Sequence, residues 1–232
     1  MSTTLKIIRQ SEYEKSNRKP NQKAVWNTIG KSWHEYIAKE IPIVLKFLKK
    51  KKGLILDLGC GSGRNMIPSK KIKYYAIDFS PNQIQQAKKY SEERNIKAQF
   101  FTQNITTLNK KIFKNNMFDS AMFIAALHCI PKEKDRYKAL EELYRVLKPK
   151  AEAIITVWNA EDDRFQSVNN HGPVYLSWKE NNNKEYMRFY YLYNKKELTA
   201  LLKSIGFTVI KFYKPTTKDR FSKKNWIIKV RK

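Results

Sequence analysis

Acidic and glycine residues that could hold a charged small molecule are concentrated near residue 60. The apolar run 54–56 leads into Asp57, and Gly59, Gly61 and Gly63 follow it at alternate positions. Glycines with this spacing let the backbone turn sharply and approach a ligand without a clash from a Cβ atom. An acidic residue at the end of an apolar strand, followed by such a turn, predicts a site for a nucleoside cofactor.

The same turn lacks the features of a loop that binds phosphate. Counted from Gly59, the sixth position is Arg64, where the dinucleotide-binding fingerprint has its third glycine. The turn also lacks the Gly-Lys-Ser or Gly-Lys-Thr ending of a triphosphate-binding loop. We therefore predict a cofactor that places no phosphate here, with Cys60 inside the cofactor-contacting turn.

A second acidic strand end supports the cofactor prediction. The apolar run 74–77 leads into Asp78 and Phe79, and a carboxylate at this position can accept hydrogen bonds from both ribose hydroxyls. The alternative is that Asp78 is an ordinary turn residue, but the glycine turn one strand earlier favours the cofactor role. Asn104, after the predicted strand 97–101, is either a further cofactor contact or a plain loop residue.

The elements that must position these residues alternate between strand and helix, as a parallel sheet requires. This alternation predicts an α/β fold with a seven-stranded, mostly parallel sheet and helices on both faces. A short helix is expected after Arg64, a linker at 159–185, and a hairpin of the last two strands. The predicted strands are 54–58, 74–78, 97–101, 117–125, 151–158, 207–213 and 225–231, and the predicted helices are 22–50, 81–94, 131–147 and 194–205.

The length of 232 residues fits a single domain. Within residues 1–232 we expect a basic helical segment at 1–52, a cofactor-binding core at 53–158, and an acceptor-side segment with the last two strands at 159–232. The apolar runs are too short to cross a bilayer, so we expect a soluble, cytoplasmic protein. The two cysteines are not arranged with histidines at metal-binding spacing, which predicts neither a zinc site nor a disulfide framework.

The net charge is strongly positive, with 47 Lys and Arg against 21 Asp and Glu, a formal charge of +26. Such an excess predicts a polyanionic partner, because phosphate contacts supply affinity through counterion release. The alternative is a lysine-rich composition that only solvates the surface. The basic residues cluster at 46–52, 70–73, 110–114 and 211–232.

The acid-x-Gly-x-Gly-x-Gly turn resembles motif I of the class I S-adenosylmethionine-dependent methyltransferases. This resemblance implies a Rossmann-like sheet of seven strands whose final strand is antiparallel. It also implies that Asp57 lies near the amino-acid end of S-adenosylmethionine and that the glycine turn contacts the cofactor through its backbone. Asp78 would bind the ribose, Phe79 would flank the adenine, and Asn104 would lie near the adenine amino group.

Two segments outside the cofactor motifs carry a narrower resemblance. Ala-x-x-His at 125–128 and Arg-Phe-Tyr-Tyr-Leu-Tyr at 188–193 resemble the tRNA wobble-uridine carboxymethyl methyltransferases, and the likeness runs from about Val25 to the C-terminus. This family esterifies 5-carboxymethyluridine in the anticodon loop of tRNA. The resemblance also implies a small zinc-binding activator protein that docks on the edge strand, which we predict to be 97–101.

A carboxylate acceptor would explain why the sequence shows no strong general base. A carboxylate is ionised at neutral pH and already nucleophilic, so its methylation needs alignment rather than proton removal. By the resemblance, Arg188 could hold this carboxylate or a phosphate, Tyr190 could stack on or bond the base, and His128 could donate a hydrogen bond. Each could instead be structural: a paired arginine, a packed tyrosine and a satisfied core histidine.

Two other classes of function share parts of this pattern. A small-molecule carboxyl or O-methyltransferase would use the same cofactor site but would gain little from the large positive charge. A non-catalytic RNA-binding protein of this fold would be expected to have lost the cofactor residues, and those residues are present.

Overall fold

The computed structural model describes residues 6–36, 40–168, 171–180, 182–213, 221 and 224–232. The helices are α1 (Gln10–Ser16), α2 (Gln22–Tyr36), α3 (Pro42–Leu48), α4 (Pro81–Glu93), α5 (Glu133–Val146) and α6 (Lys195–Ile205). The strands are β1 (Ile7–Arg9), β2 (Gly53–Leu58), β3 (Ile72–Asp78), β4 (Ala98–Thr102), β5 (Phe118–Ile124), β6 (Leu147–Trp158), β7 (Gly172–Lys179), β8 (Glu185–Leu192), β9 (Thr208–Tyr213) and β10 (Asn225–Arg231). Short 3-10 helices lie at Leu127–Cys129 and Asp163–Val168.

The main sheet has seven strands in the order β4-β3-β2-β5-β6-β10-β9. The strands from β4 to β6 are parallel, and β10 is antiparallel to both of its neighbours, β6 and β9. Helices α5 and α6 pack on one face and α3 and α4 on the other. This architecture confirms the predicted fold class, including the single antiparallel final strand and the edge position of β4.

Side chains alternate between the two faces of the buried strands. In β2, Leu56 belongs to the core under α5 and α6, while Ile55 belongs to the core under α3 and α4. In the edge strand β4, Phe101 and Phe100 divide between the same two cores, and both are half-buried. The alternation of side chains along β4 therefore places Phe100 and Phe101 on opposite faces of the sheet.

Two of the predicted helices differ from the structure. The helix expected at 22–50 is two helices, and the second begins at Pro42, which is tolerated in the first turn of a helix but not in its interior. The short helix expected after Arg64 is absent, because residues 64–71 form turns and irregular chain. The predicted end of α6 is confirmed, since Gly206 adopts a left-handed conformation with φ of 106°.

The linker expected at 159–185 is wrong, because this region contributes a strand to a second sheet. Strand β7 lies between β1 and β8, with antiparallel pairing to both. A central strand is buried on both faces, so its residues read as a continuous apolar run rather than an alternating one. The sequence pattern of β7 gave no period-2 signal for that reason.

Helix α2 connects this small sheet to the main one. The side chain of Gln22 donates to the carbonyl of Met187 (3.0 Å) and accepts from the amide of Phe189 (2.8 Å), both in β8. At the next turn, Asn27 Oδ1 accepts from the hydroxyl of Ser80 (2.9 Å), the N-cap of α4. The position of α2 is therefore fixed by both sheets.

Within the described residues, the structure shows no disulfide, no cluster of metal ligands and no membrane-spanning helix. Cys60 and Cys129 are both free, and no cluster of potential metal ligands occurs in the described chain. None of the described helices combines the length and the apolar character needed to span a bilayer. Within the predicted basic cluster 211–232, residues 214–220 and 222–223 lie outside the described part of the chain.

Candidate active site

A cavity of about 440 Å³ lies at the carboxyl ends of β2, β3, β5 and β6. This is the edge of a doubly wound sheet where ligands bind. Of the predicted site residues, only Gly63 and Arg188 do not line it. The predicted residues that do are Asp57, Gly59, Cys60, Gly61, Asp78, Phe79, Asn104, His128 and Tyr190.

The three glycines of the turn have different physical roles. Gly61 has φ of 54° and faces open space, where a Cβ would come no closer than 3.8 Å to the side chain of Gln83. Gly59 has φ of 71°, and a Cβ there would lie 2.7 Å from that of Ala126 at the end of β5. Gly61 thus leaves its backbone open to a ligand, whereas Gly59 allows the turn to approach the neighbouring strand.

Gly63 serves packing rather than the cavity wall. A Cβ at this residue would lie 2.7 Å from the methyl group of Met66 and 3.2 Å from the Cβ of Ala87 in α4. The backbone is also in the left-handed region, with φ of 79°. The glycine therefore brings the turn and α4 together, and its contribution to a cofactor site is indirect.

Asp57 is a buried carboxylate, and one of its oxygen atoms accepts no hydrogen bond from the described residues. It is 2% exposed, and its Oδ2 atom has no hydrogen-bond partner among the described residues. Burial raises its pKa to about 7, with a further increase from the charge of Asp78 and an opposing effect of Arg64. A cationic group in the cavity would supply the missing interaction and restore the charged form.

Asp78 accepts two backbone hydrogen bonds that fix its orientation. Its Oδ2 accepts from the amide of Gly61 (3.0 Å) and its Oδ1 from the amide of Ser80 (2.9 Å). Burial raises the pKa of Asp78 to about 6, although these backbone donors oppose the rise. Each oxygen retains a lone pair, so the carboxylate can also accept from hydroxyls of a ligand.

The remaining cofactor-side residues differ in how directly they reach the cavity. Phe79 is half-buried in the wall next to Asp78. Cys60 is buried, and burial raises its pKa well above the usual value, so it is a neutral thiol. Asn104 uses its Oδ1 atom within its own loop, accepting from the amide and hydroxyl of Thr106 (both 3.0 Å).

The acceptor side of the cavity is a stack of three near-parallel rings. The rings of Trp158 and Tyr190 lie 3.8 Å apart between centroids with an interplanar angle of 19°. His128 stacks against both, at 5.3 Å from Trp158 and 5.4 Å from Tyr190. Trp158 at the end of β6 therefore contributes to the cavity wall, in addition to the packing role that its position suggests.

His128 is neutral. It is 1% exposed, and its Nδ1 atom has no hydrogen-bond partner among the described residues. Burial lowers its pKa to about 3, with a further decrease from the charge of Arg164. A neutral imidazole carries one donor and one acceptor nitrogen, so it can orient a ligand but is a weak base.

Arg188 is a buried cation that lies behind Tyr190 rather than at the cavity surface. It is 3% exposed; its Nη1 donates to Tyr190 Oη and its Nη2 to the carbonyl of Ser177, both at 3.0 Å. The guanidinium also lies over the rings of Trp33 (4.9 Å) and Trp178 (5.0 Å). The expectation that it contacts the acceptor directly therefore needs correction, because Tyr190 separates them.

No carboxylate of the described residues pairs with this guanidinium. Its Nε atom also has no partner there. Buried charges in proteins are normally paired, so an unpaired one beside a cavity gives that end a positive potential.

Among the lining residues that sequence reasoning did not predict, three side chains stand out. Trp26 and Trp33 line it from α2, with their rings in edge contact at 5.6 Å. Their spacing of seven residues places them on one face of a helix, a signal that could have identified them. Gln83, 4% exposed with an unpartnered Oε1 atom, is the third, and its place three residues after the N-cap Ser80 gave no such signal.

Comparisons with known proteins agree with this geometry. Residues 55–150 match the protein family described as methyltransferase domain. The fold is similar to that of an S-adenosylmethionine-dependent methyltransferase from Methanosarcina mazei, with a TM-score of 0.65 and 23% identity over 84% of this chain and 98% of that one. Another similar structure is the putative methyltransferase in complex with the Trm112 methyltransferase activator of Haloferax volcanii, with a TM-score of 0.62 and 16% identity over 93% and 99%.

The sequence is also similar to two curated tRNA (carboxymethyluridine(34)-5-O)-methyltransferases. The Schizosaccharomyces pombe protein is 23% identical over 210 residues, covering 80% of this chain and 88% of that relative. The Arabidopsis thaliana protein is 29% identical over 141 residues, covering 60% of this chain and 33% of that relative. The chain spans about a quarter to a half of the length of the first curated relatives it matches.

The fold and the family match define the class of the protein. Residues 55–150 match a methyltransferase domain, and the fold of the chain is that of the solved S-adenosylmethionine-dependent methyltransferases. The ammonium group of S-adenosylmethionine would fill the open position at Asp57 Oδ2, which has no partner among the described residues, and a ribose suits the oriented carboxylate of Asp78. Within that class, the curated relatives named above modify carboxymethyluridine in tRNA.

Proposed function

We propose that this protein methylates the carboxylate of 5-carboxymethyluridine at the wobble position of tRNA and so forms the methyl ester. The observation that carries this proposal is the buried guanidinium of Arg188 behind the acceptor end of the cavity, which pairs with no carboxylate in the part of the chain that the structure describes. It makes this end attractive to an anionic acceptor. The similarity to tRNA (carboxymethyluridine(34)-5-O)-methyltransferases supports the choice of the particular anion.

The weakness of the available bases supports a carboxylate rather than a hydroxyl or an amine. His128 has a pKa of about 3, so it would not remove a proton efficiently at neutral pH. A carboxylate needs no deprotonation, and S-adenosylmethionine supplies an electrophilic methyl group on a sulfonium. The protein then contributes mainly alignment of the two reactants.

In this proposal each predicted cofactor residue contacts a different part of S-adenosylmethionine. Asp57 binds the ammonium group and Asp78 the ribose, while the wall around Phe79 holds the adenine, with Asn104 at its edge. Cys60 contributes its backbone within the glycine turn, since its neutral thiol is a poor hydrogen-bonding group.

Arg188 acts on the acceptor through Tyr190. Because Nη1 of Arg188 donates to the phenol oxygen, the phenol proton is free to point toward the cavity. The phenol then serves as an oriented donor to the acceptor carboxylate or to the uracil. His128, with its ring stacked on Tyr190, supplies a second donor or acceptor.

We further propose that residues 1–232 work as one cytoplasmic domain with a small zinc-binding activator protein on strand β4. This strand is at an edge of the sheet, where unpaired backbone groups invite another strand. Phe100 and Phe101 are only half-buried there, so a partner would cover apolar surface. A similar structure is a complex of a putative methyltransferase with the Trm112 activator.

The test is transfer of labelled methyl groups from S-adenosylmethionine to bulk tRNA that lacks the wobble ester. The reaction is run with and without a candidate zinc-binding activator, and the nucleosides are analysed by mass spectrometry. We expect label in the methyl ester of 5-carboxymethyluridine. Label in another nucleoside, or none while cofactor binding is intact, would contradict the proposal.

The alternative function is that of a small-molecule carboxyl or O-methyltransferase. Methyl transfer to small carboxylates at a rate that does not change between low and high salt would favour it. An RNA substrate predicts the opposite, because RNA binding weakens steeply with salt.

A further inference from the structure

Basic clusters that are far apart in the sequence meet on one side of the molecule. This side, called here the basal face, is the edge of the main sheet where the parallel strands begin, opposite the cavity. Its basic residues come from the chain before β2, β3 and β4, from the first residues of β3 and β6, and from the end of β10. They are Lys49, Lys50, Lys51, Lys52, Lys70, Lys71, Lys73, Lys97, Lys148, Lys150, Lys229, Arg231 and Lys232.

Contacts across the strand starts confirm that these segments are neighbours. The amide of Gly53 donates to the carbonyl of Lys71 (2.7 Å), which joins the starts of β2 and β3. Glu152 near the start of β6 contacts Lys51 (2.7 Å) from before β2 and Arg231 (3.2 Å) from the end of β10. The antiparallel direction of β10 is what brings the C-terminal cations to this edge.

Three of the carboxylates near this edge are already paired. Glu152 has three basic neighbours, Asp119 is paired with Lys148 (2.6 Å), and Glu142 is paired with Arg145 (2.6 Å). Most lysines of the basal face are exposed and take part in no ion pair of the described residues. They are Lys49, Lys50, Lys52, Lys70, Lys71, Lys73, Lys97 and Lys150.

We propose that the basal face binds the phosphate backbone of double-helical RNA, at a part of the substrate remote from the nucleotide that reacts. Strand β2 has six residues, so its two ends, one at this face and one at the cavity, are about 20 Å apart. A free nucleoside could not reach both, whereas a folded RNA can. The identity of the polyanion rests on the proposed function.

The composition of the face favours a duplex backbone over a single strand. Single strands need exposed aromatic rings on which bases stack. Among the described residues, the large aromatic side chain with substantial exposure is Tyr137 in α5, which is not one of the residues that define the basal face. The face offers lysine ammonium groups for sequence-independent phosphate contacts, and an anionic membrane is the other outcome of the test.

The test compares two triple variants with the same loss of charge. The basal variant carries Lys50→Gln, Lys52→Gln and Lys71→Gln. The control carries Lys134→Gln, Lys138→Gln and Lys196→Gln, which are equally exposed and unpaired on α5 and α6. Binding of a fluorescently labelled RNA duplex is measured by anisotropy at several salt concentrations, and melting curves verify that both variants fold.

We expect the basal variant to bind the duplex at least tenfold more weakly. The slope of log affinity against log salt concentration should become shallower by about 2 to 3, about one unit for each lost phosphate contact. The control should change less than twofold. Equal losses in both variants would show diffuse attraction and would overturn the proposal. Unchanged RNA binding with reduced binding to phosphatidylserine vesicles would also overturn it, in favour of a membrane surface.

The duplex in this experiment contains no carboxymethyluridine. Its binding therefore tests the basal face independently of methyl transfer. Failure of the wobble-ester assay would leave these affinities unchanged, and failure of the binding prediction would leave the esterification result unchanged.

Discussion

The two ends of the cavity hold charge in opposite ways. At the cofactor end, Asp57 and Asp78 are buried carboxylates whose pKa values rise to about 7 and 6. At the acceptor end, Arg188 is a buried cation with no carboxylate partner among the described residues, next to a neutral His128. The cofactor end can therefore pair with a positive group of a ligand, and the acceptor end with a negative group. The polarity of the cavity thus matches a cationic methyl donor and an anionic acceptor.

Removal of the charge of Asp57 should have the largest effect on ligand binding at the cofactor end. Asp57→Asn is expected to lower the affinity for S-adenosylmethionine about 100-fold, because a charged hydrogen bond to the ammonium group is lost. Calorimetry measures the affinity, and methyl transfer should fall with it. The free protein should melt about 5 °C higher, because a buried, repelled carboxylate is gone. Unchanged affinity would mean that the ammonium group binds elsewhere.

The cofactor end should also respond to pH. Affinity for S-adenosylmethionine is expected to increase about tenfold from pH 5.5 to 7, since the free protein holds a proton on Asp57, with a pKa of about 7, that binding must release. The α-amino group of the cofactor stays largely protonated over this range. Calorimetry in buffers of different ionisation enthalpy would measure the proton release. The Asp57→Asn variant is the control, and it should keep only the smaller pH dependence that comes from Asp78, whose pKa is about 6. A dependence as steep as that of the wild type would contradict the assignment.

Two adjacent tyrosines allow a matched test of the acceptor end. Tyr190→Phe is expected to lower kcat/KM for the acceptor about five- to tenfold with unchanged cofactor affinity, because one oriented hydrogen bond is lost. Tyr191 points to the other face of β8 and donates to Glu197. Tyr191→Phe should therefore reduce stability by about 1 kcal/mol without this kinetic effect. Similar kinetic losses in both variants would indicate that β8 is only structural.

The last prediction concerns acid stability rather than ligand binding or turnover. The folded state keeps His128 unprotonated down to a pH of about 3, while the unfolded chain binds a proton near 6.5. The unfolded state then binds more protons between these values, so stability falls as pH decreases through this window. From pH 7 to 5, the wild type should lose about 2 kcal/mol more than His128→Phe in denaturant titrations. Parallel losses in the two proteins would show that His128 titrates normally.

The cofactor end could be predicted from sequence because its residues are close together in the chain. Asp57, the glycine turn and Asp78 lie at the ends of two consecutive strands that pair directly in the sheet. Local patterns of apolar runs and glycines therefore determine both the fold and the site here. The exception is Gly63, whose packing role depends on Ala87 in a helix whose distance from the turn the sequence does not show.

The acceptor end could be predicted only in part because distant segments build it. His128, Trp158 and Tyr190 come from three different elements, and Trp26 and Trp33 from a fourth. Which side chain faces the cavity depends on how β7 and β8 pack, and β7 gave no alternating pattern. The placement of Arg188 behind Tyr190, two residues along one strand face, follows from that packing.

Helix α2 contacts both ends of the cavity. Asn27 bonds the N-cap of α4 beside the cofactor turn, Gln22 bonds β8, and the ring of Trp26 lies 6.1 Å from that of Tyr190. A displacement of α2 would therefore disturb the contacts at both ends of the cavity together. This helix links the two ends structurally, so a change in its position alters both.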